Sequence, residues 1–157
     1  MTEFRSAAEA APTDTLVRSV RRIAQAVDVR SREIARLTGL TLPQLLVLQS
    51  IRAQGEVSSS AISRDVSMSP PTVVAVLDRL EARGMIVRYR STTDRRVVHA
   101  RLTEAGEDAL KTSPGLLRAD ALTRWAELPL ERRAALAEAM DLLSTLMAPS
   151  PDPTTGP

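Results

Sequence analysis

Leu16, Val20, Ile23, Val27, Ile34 and Leu37 recur at steps of three, four or seven, with arginines between them. That spacing predicts an amphipathic helix from about Asp14 to Leu37, ended by Thr38-Gly39, with Gly39 suited to a left-handed cap. Leu42-Pro43 opens a second helix through Arg52, which carries Leu45, Leu46, Leu48 and Ile51 and stops at Gln54-Gly55. A short third helix follows, capped by Ser58, Ser59 or Ser60, with Ala61, Ile62 and Val66 on its buried side. After Ser67-Met68-Ser69 a fourth helix runs from Pro70 to Gly84. The period then changes: Met85 to Tyr89 and Val97 to Leu102 are β-prone runs around the polar segment Ser91 to Arg95, which predicts a hairpin. Thr103 to Lys111 returns to helix, Thr112 to Gly115 breaks it, and Leu116 to Glu127 resumes it around Leu117, Leu122 and Trp125. Beyond Pro129 a last helix, Leu130 to Met147, places Leu136, Met140, Leu143 and Met147 on one stripe.

Residues 1–12 and 148–157 read as a flexible start and a disordered, proline-rich tail. Between them the pattern divides into an N-terminal helix over 13–40, a central unit over 41–111, and C-terminal helices over 112–147. The first and last helices each carry an apolar stripe, although the middle already has a core. These stripes either fold back on that core or meet a second copy of the chain. Their number favours a homodimer joined through Leu16, Val20, Ile23, Leu136, Met140, Leu143 and Met147.

The centre reads helix, short turn, helix, hairpin, the order of a winged helix-turn-helix. The fold class is therefore mainly α with a small β-hairpin wing. On the helix at 70–84, Val73, Val76, Leu77 and Leu80 share one face, which must pack inward. The opposite face presents Pro71, Ala75, Asp78 and Arg79, flanked by Thr72 and Val74. In this motif the N-terminal part of the outer face enters the major groove. Ser69, Thr72, Val74 and Ala75 are thus the candidates for reading bases, the hydroxyls by hydrogen bonds and the apolar pair against thymine methyls. Pro71, Arg79, Arg90 and Ser58 complete the expected DNA face. At the hairpin tip, Arg95 or Arg96 can enter a minor groove or meet the backbone, with Asp94 orienting the guanidinium. The same tip also reads as a turn closed by Asp94 with solvated arginines.

Charge sharpens this picture. Net charge over 157 residues is only +2, and 20 of the 21 basic residues are arginine. Residues 79–101 hold seven of these arginines against Glu81 and Asp94 alone, a local charge of +5. That asymmetry fits a phosphate-binding face, and equally a solvated face of an arginine-rich protein. Aromatic residues make up 2%, so the core must be aliphatic, which favours helices. The absence of cysteine excludes thiol redox sensing and cysteine-ligated metals, and a single His99 argues against a histidine metal site. No cofactor is expected. No stretch suits a membrane span or a signal peptide, so the expected location is the cytoplasm.

The stretch LVLQSIRAQGEVSSSAISRDVSMSPPTVVAVLDRLEARGMIVRYRSTTDRRVVHARLTEAG resembles the multiple antibiotic resistance regulator (MarR) family of bacterial transcription factors. LDRLEARG before the wing, TTDRR at its tip and LTEAG after it carry the likeness, which extends over about residues 14–147. The resemblance implies homodimers, palindromic operators on double-stranded DNA, and repression usually relieved by a small-molecule effector, here of unknown identity. It also implies a recognition helix at Pro70 to Arg83 and a wing arginine at Arg95 paired with Asp94. Ser67 stands where a turn glycine is common, Pro70-Pro71 stiffens the helix start, and Val74-Ala75 replaces a polar pair. SPPTVVAVLDRLE, SPGLL and WAELPLERRAAL are similar to the branch regulating ectoine, a compatible solute; a different operon stays open.

Two rivals remain. An enzyme lacks support, because no phosphate loop, metal-ligand spacing or catalytic partner for His99 is found. A winged helix that docks proteins without specific DNA binding is the second. Salt dependence separates it from a DNA binder, since phosphate contacts release counterions.

Overall fold

The computed structural model describes residues 3–148 other than Thr93 and Arg95. Seven helices and three strands follow in the order α1 (Glu3–Thr38), α2 (Leu42–Gln54), β1 (Val57–Ser58), α3 (Ser59–Asp65), α4 (Pro70–Ala82), β2 (Ile86–Arg90), β3 (Val98–Leu102), α5 (Glu104–Thr112), α6 (Ala119–Glu127) and α7 (Leu130–Met147). They fall into two units, residues 1–116 and residues 117–157.

The first unit holds the core. Ile34, Leu40, Leu45, Val47, Leu48, Ile51, Val57, Ile62, Val73, Val76, Leu77, Leu80, Ile86, Ala100 and Leu110 are all buried. No aromatic ring contributes, as the composition requires. The end of α1 is set by Gly39, whose φ of +67° suits a residue without a Cβ and whose N–H donates to the Ala35 carbonyl at 2.9 Å. Gln44 closes the start of α2 by accepting from the Thr41 N–H at 3.0 Å, and Pro43 sits in the first turn, where its missing N–H costs nothing.

Three features depart from the sequence-based expectations. α1 begins at Glu3 and not near Asp14, so residues 3–12, expected as a flexible start, are helical. Glu3 to Ala11 is rich in strong helix formers, and their propensity carries the helix through Pro12 despite the lost N–H. The hairpin is also part of a three-stranded antiparallel sheet of order β1-β3-β2. Val57 pairs with Ala100 and Ser58 with His99, while Ile86 to Arg90 pair in register with Leu102 to Val98. Finally α6 starts at Ala119 and not at Leu116. The expected tail over 149–157 lies outside the described residues.

The second unit has no core of its own: no residue of α6 or α7 is buried. Leu136, Met140 and Met147 are exposed, and only Leu143 of that stripe is half-buried. In the first unit Leu16 and Ile23 are likewise exposed and Val20 is half-buried. Among the described residues no single helix is long and apolar enough to cross a membrane.

Candidate nucleic-acid interface

The helix expected to read DNA is built as its sequence dictates. Val73, Val76, Leu77 and Leu80 of α4 are buried, which forces Pro71, Thr72, Val74, Ala75, Asp78 and Arg79 outward, and all six are exposed. Ser69 caps the helix, accepting from the Thr72 N–H at 3.4 Å, and its hydroxyl meets that of Thr72 at 2.7 Å. The two candidate base-reading hydroxyls therefore begin as a pair, in which one proton is shared and the other hydroxyl keeps its own to donate to a ligand.

The turn before α4 explains the missing glycine. Ser67 has φ +52°, in the left-handed region that favours glycine. The serine is held there by a reciprocal clamp across the turn. The Ser63 hydroxyl donates to the Met68 carbonyl at 2.5 Å, and the Met68 N–H donates to the Ser63 carbonyl at 3.2 Å. Ser58 caps α3, accepting from the Ala61 N–H at 3.3 Å, and its hydroxyl lies 3.2 Å from that of Ser60.

The wing turns on Asp94, whose carboxylate accepts from the main-chain N–H of Arg96 at 2.9 Å. Its own N–H donates to the hydroxyl of the buried Ser91 at 3.3 Å, and its carbonyl accepts from the Val97 N–H at 2.9 Å. This is a side-chain-closed turn that leaves the Arg96 side chain exposed. Arg95, the expected partner of Asp94, lies outside the described residues. Arg90 is exposed at the end of β2.

Charge counting along the sequence treated the arginines of 79–101 alike; the structure does not. Arg83 reaches back to donate to the Gly39 carbonyl at 2.9 Å, tying the end of α4 to the α1–α2 turn. Arg88 pairs with Asp78 at 2.7 Å and with Glu81 at 2.6 Å, binding β2 to α4. The Arg88 side-chain hydrogen bond holds the Glu81 carboxyl below the usual carboxylate range, and the same bond raises the Arg88 guanidinium. Arg83 and Arg88 thus serve the fold. The available signal was Asp78 and Glu81 three residues apart on one helix face, with Arg88 just after the next turn.

The unit thus exposes the outward face of α4 and the arginines Arg79, Arg90 and Arg96, with β2 tied to α4 through Arg88. A rigid, half-apolar helix beside a cationic ribbon is equipped to enter a groove and hold its phosphates.

Residues 40–98 match the model of the MarR family. The chain is 33% identical over 89 residues to the HTH-type transcriptional repressor MdtR of Bacillus subtilis, a stretch covering 57% of each protein. It therefore spans little more than half the length of this curated relative, which is named as a transcriptional repressor and not as an enzyme. Among solved structures, Sco3205 of Streptomyces coelicolor, a MarR family transcriptional regulator in complex with DNA, superposes with a TM-score of 0.73. That likeness covers 89% of this chain and 90% of the other at 22% identity. BpsR of Bordetella bronchiseptica, whose DNA binding is regulated by 6-hydroxynicotinic acid, gives 0.65 at 24% identity over 83% and 98%. At such identities the likeness is one of fold. The sequence match to the MarR family model is thus confined to residues 40–98, while the likeness of fold to these regulators extends over most of the chain.

Proposed function

We propose that the chain is a DNA-binding transcription regulator that acts in the cytoplasm as a homodimer and represses an operon from a palindromic operator. The observation that carries this reading is the outward face of α4, with Pro71, Thr72, Val74 and Ala75 exposed and the wing beside it. Ser69 and Thr72 supply polar contacts to bases or phosphates, and Val74 and Ala75 supply apolar contacts to thymine methyls. Arg79, Arg90, Arg95 and Arg96 bind phosphate or the minor groove, and Ser58 lies at the start of α3 toward the backbone. Dimerisation uses Leu16, Val20 and Ile23 with Leu136, Met140, Leu143 and Met147. A small-molecule effector relieving repression is supported by the fold likeness to BpsR, whose DNA binding answers to such a ligand.

The test is selection of genomic fragments by the purified protein, followed by titration of the winner at two salt concentrations. A palindrome with half-sites about one helical turn apart is expected, with affinity falling steeply as salt rises. The genes beside it decide between the ectoine branch and another operon. Arg95→Ala weakens binding about tenfold in the same titration with the dimer intact. No enrichment, with only weak binding that salt abolishes, overturns the reading in favour of a protein-docking module.

A further inference from the structure

Asp78 lies on the outward face of α4, with its side chain 56% exposed, and Glu81 follows one turn later at 38%. A duplex seated against α4 brings phosphates near both carboxylates, and bare acids there repel it. Arg88 reaches across from β2 to cover them. Its Nη2 meets Asp78 Oδ1 at 2.7 Å and Glu81 Oε2 at 2.6 Å, and its Nε donates to the same Oε2 at 2.9 Å. The Arg88 main-chain N–H donates to Glu81 Oε1 at 3.2 Å, so the strand itself is latched to the helix. With its side chain 26% exposed, Arg88 is more enclosed than either acid and turns its guanidinium onto their oxygens.

We propose that Arg88 is a positioning residue that masks Asp78 and Glu81 from nucleic-acid phosphate and locks the wing to α4, and is not itself a phosphate contact. This rests on the DNA-binding reading above. A contact to phosphate and a mask over carboxylates both lose affinity when Arg88 goes, but only the mask is repaired by deleting the acids. A bidentate fork also does what a lysine in its place cannot, because a point charge satisfies the two acids without fixing the angle of the strand.

The experiment is a double-mutant cycle on affinity for a short random-sequence duplex, read by fluorescence anisotropy at low salt. It uses wild type, Arg88→Ala, the pair Asp78→Asn with Glu81→Gln, and the triple variant, with thermal melts confirming that each is folded. Arg88→Ala is expected to weaken binding about tenfold, and removing both acids is expected to recover most of that loss. The acid substitutions alone, in the presence of Arg88, change affinity by about twofold or less. Equal gains from removing the acids with and without Arg88 overturn the proposal and make Arg88 a phosphate contact. Should Arg88→Ala fail to fold, Arg88→Lys completes the cycle, with a smaller coupling of the same sign expected and no coupling overturning the proposal. A wild-type protein that binds no duplex at low salt overturns the DNA reading and this inference with it, a result distinct from an uncoupled cycle.

Discussion

The winged helix and the helices that flank it are built on opposite terms. Between Ile34 and Leu110 the chain buries fifteen apolar side chains in one cluster and keeps its charged groups out of it, on helix faces, turns and strands. Residues 12–33 of α1 and all of α6 and α7 bury none, and leave Leu16, Ile23, Leu130, Leu136, Met140, Leu142 and Leu146 at 44% exposure or more. The first region has what it needs to fold by its own burial, at roughly 25 cal/mol for each Å² of apolar surface removed from water. The second is a set of amphipathic faces whose burial has to come from elsewhere. Stability and assembly are therefore separable by mutation.

The sharpest way to break the first region is at Gly106 of α5. A Cβ there overlaps the Met85 carbonyl oxygen, which also accepts from the Thr103 N–H. Both neighbours are backbone, so neither yields cheaply. Gly106→Ala is expected to cost about 2–4 kcal/mol in urea unfolding, with helix and wing lost together. In the second region, Leu143→Glu is expected to leave circular dichroism of the winged helix unchanged while raising the dimer dissociation constant about a hundredfold. Sedimentation that still gives a tight dimer contradicts the assembly reading. The smallest effect has the opposite sign: Ser67→Gly relieves the left-handed turn and is expected to stabilise the first region by about 0.5–1 kcal/mol in the same unfolding measurement.

The two regions were also unequally legible in the sequence. Period and caps were enough for α2, the inward face of α4 and the hairpin, because each is written in the spacing of Val, Leu and Ile within one element. β1 was missed, since two residues carry no period and Val57–Ser58 becomes a strand only by meeting residues 99 and 100. The helical start at Glu3 was missed because Pro12 reads as a break, while the alanines before it favour helix. LTEAG was visible as a motif, but the need for its glycine appears only where α5 crosses the Met85 carbonyl. Arginines were visible as charge and not as partners: Arg83 and Arg88 are spent on Gly39, Asp78 and Glu81 across turns that sequence spacing does not close.

The two-residue strand has a kinetic consequence. β1 precedes α3 and α4 in the chain, yet pairs with the strand that follows both, so Val57 and Ala100 can meet only after the intervening helices have collapsed. Ser58 takes part in that pairing and caps α3 as well, which places one amino acid in both halves of the domain. Wing and helix-turn-helix are thereby expected to form in the same step, with the amide protons of α3 and β3 opening to exchange at a common free energy. A ribbon that cannot come loose by itself is a rigid lever: whatever displaces its tip is felt at the foot of α3.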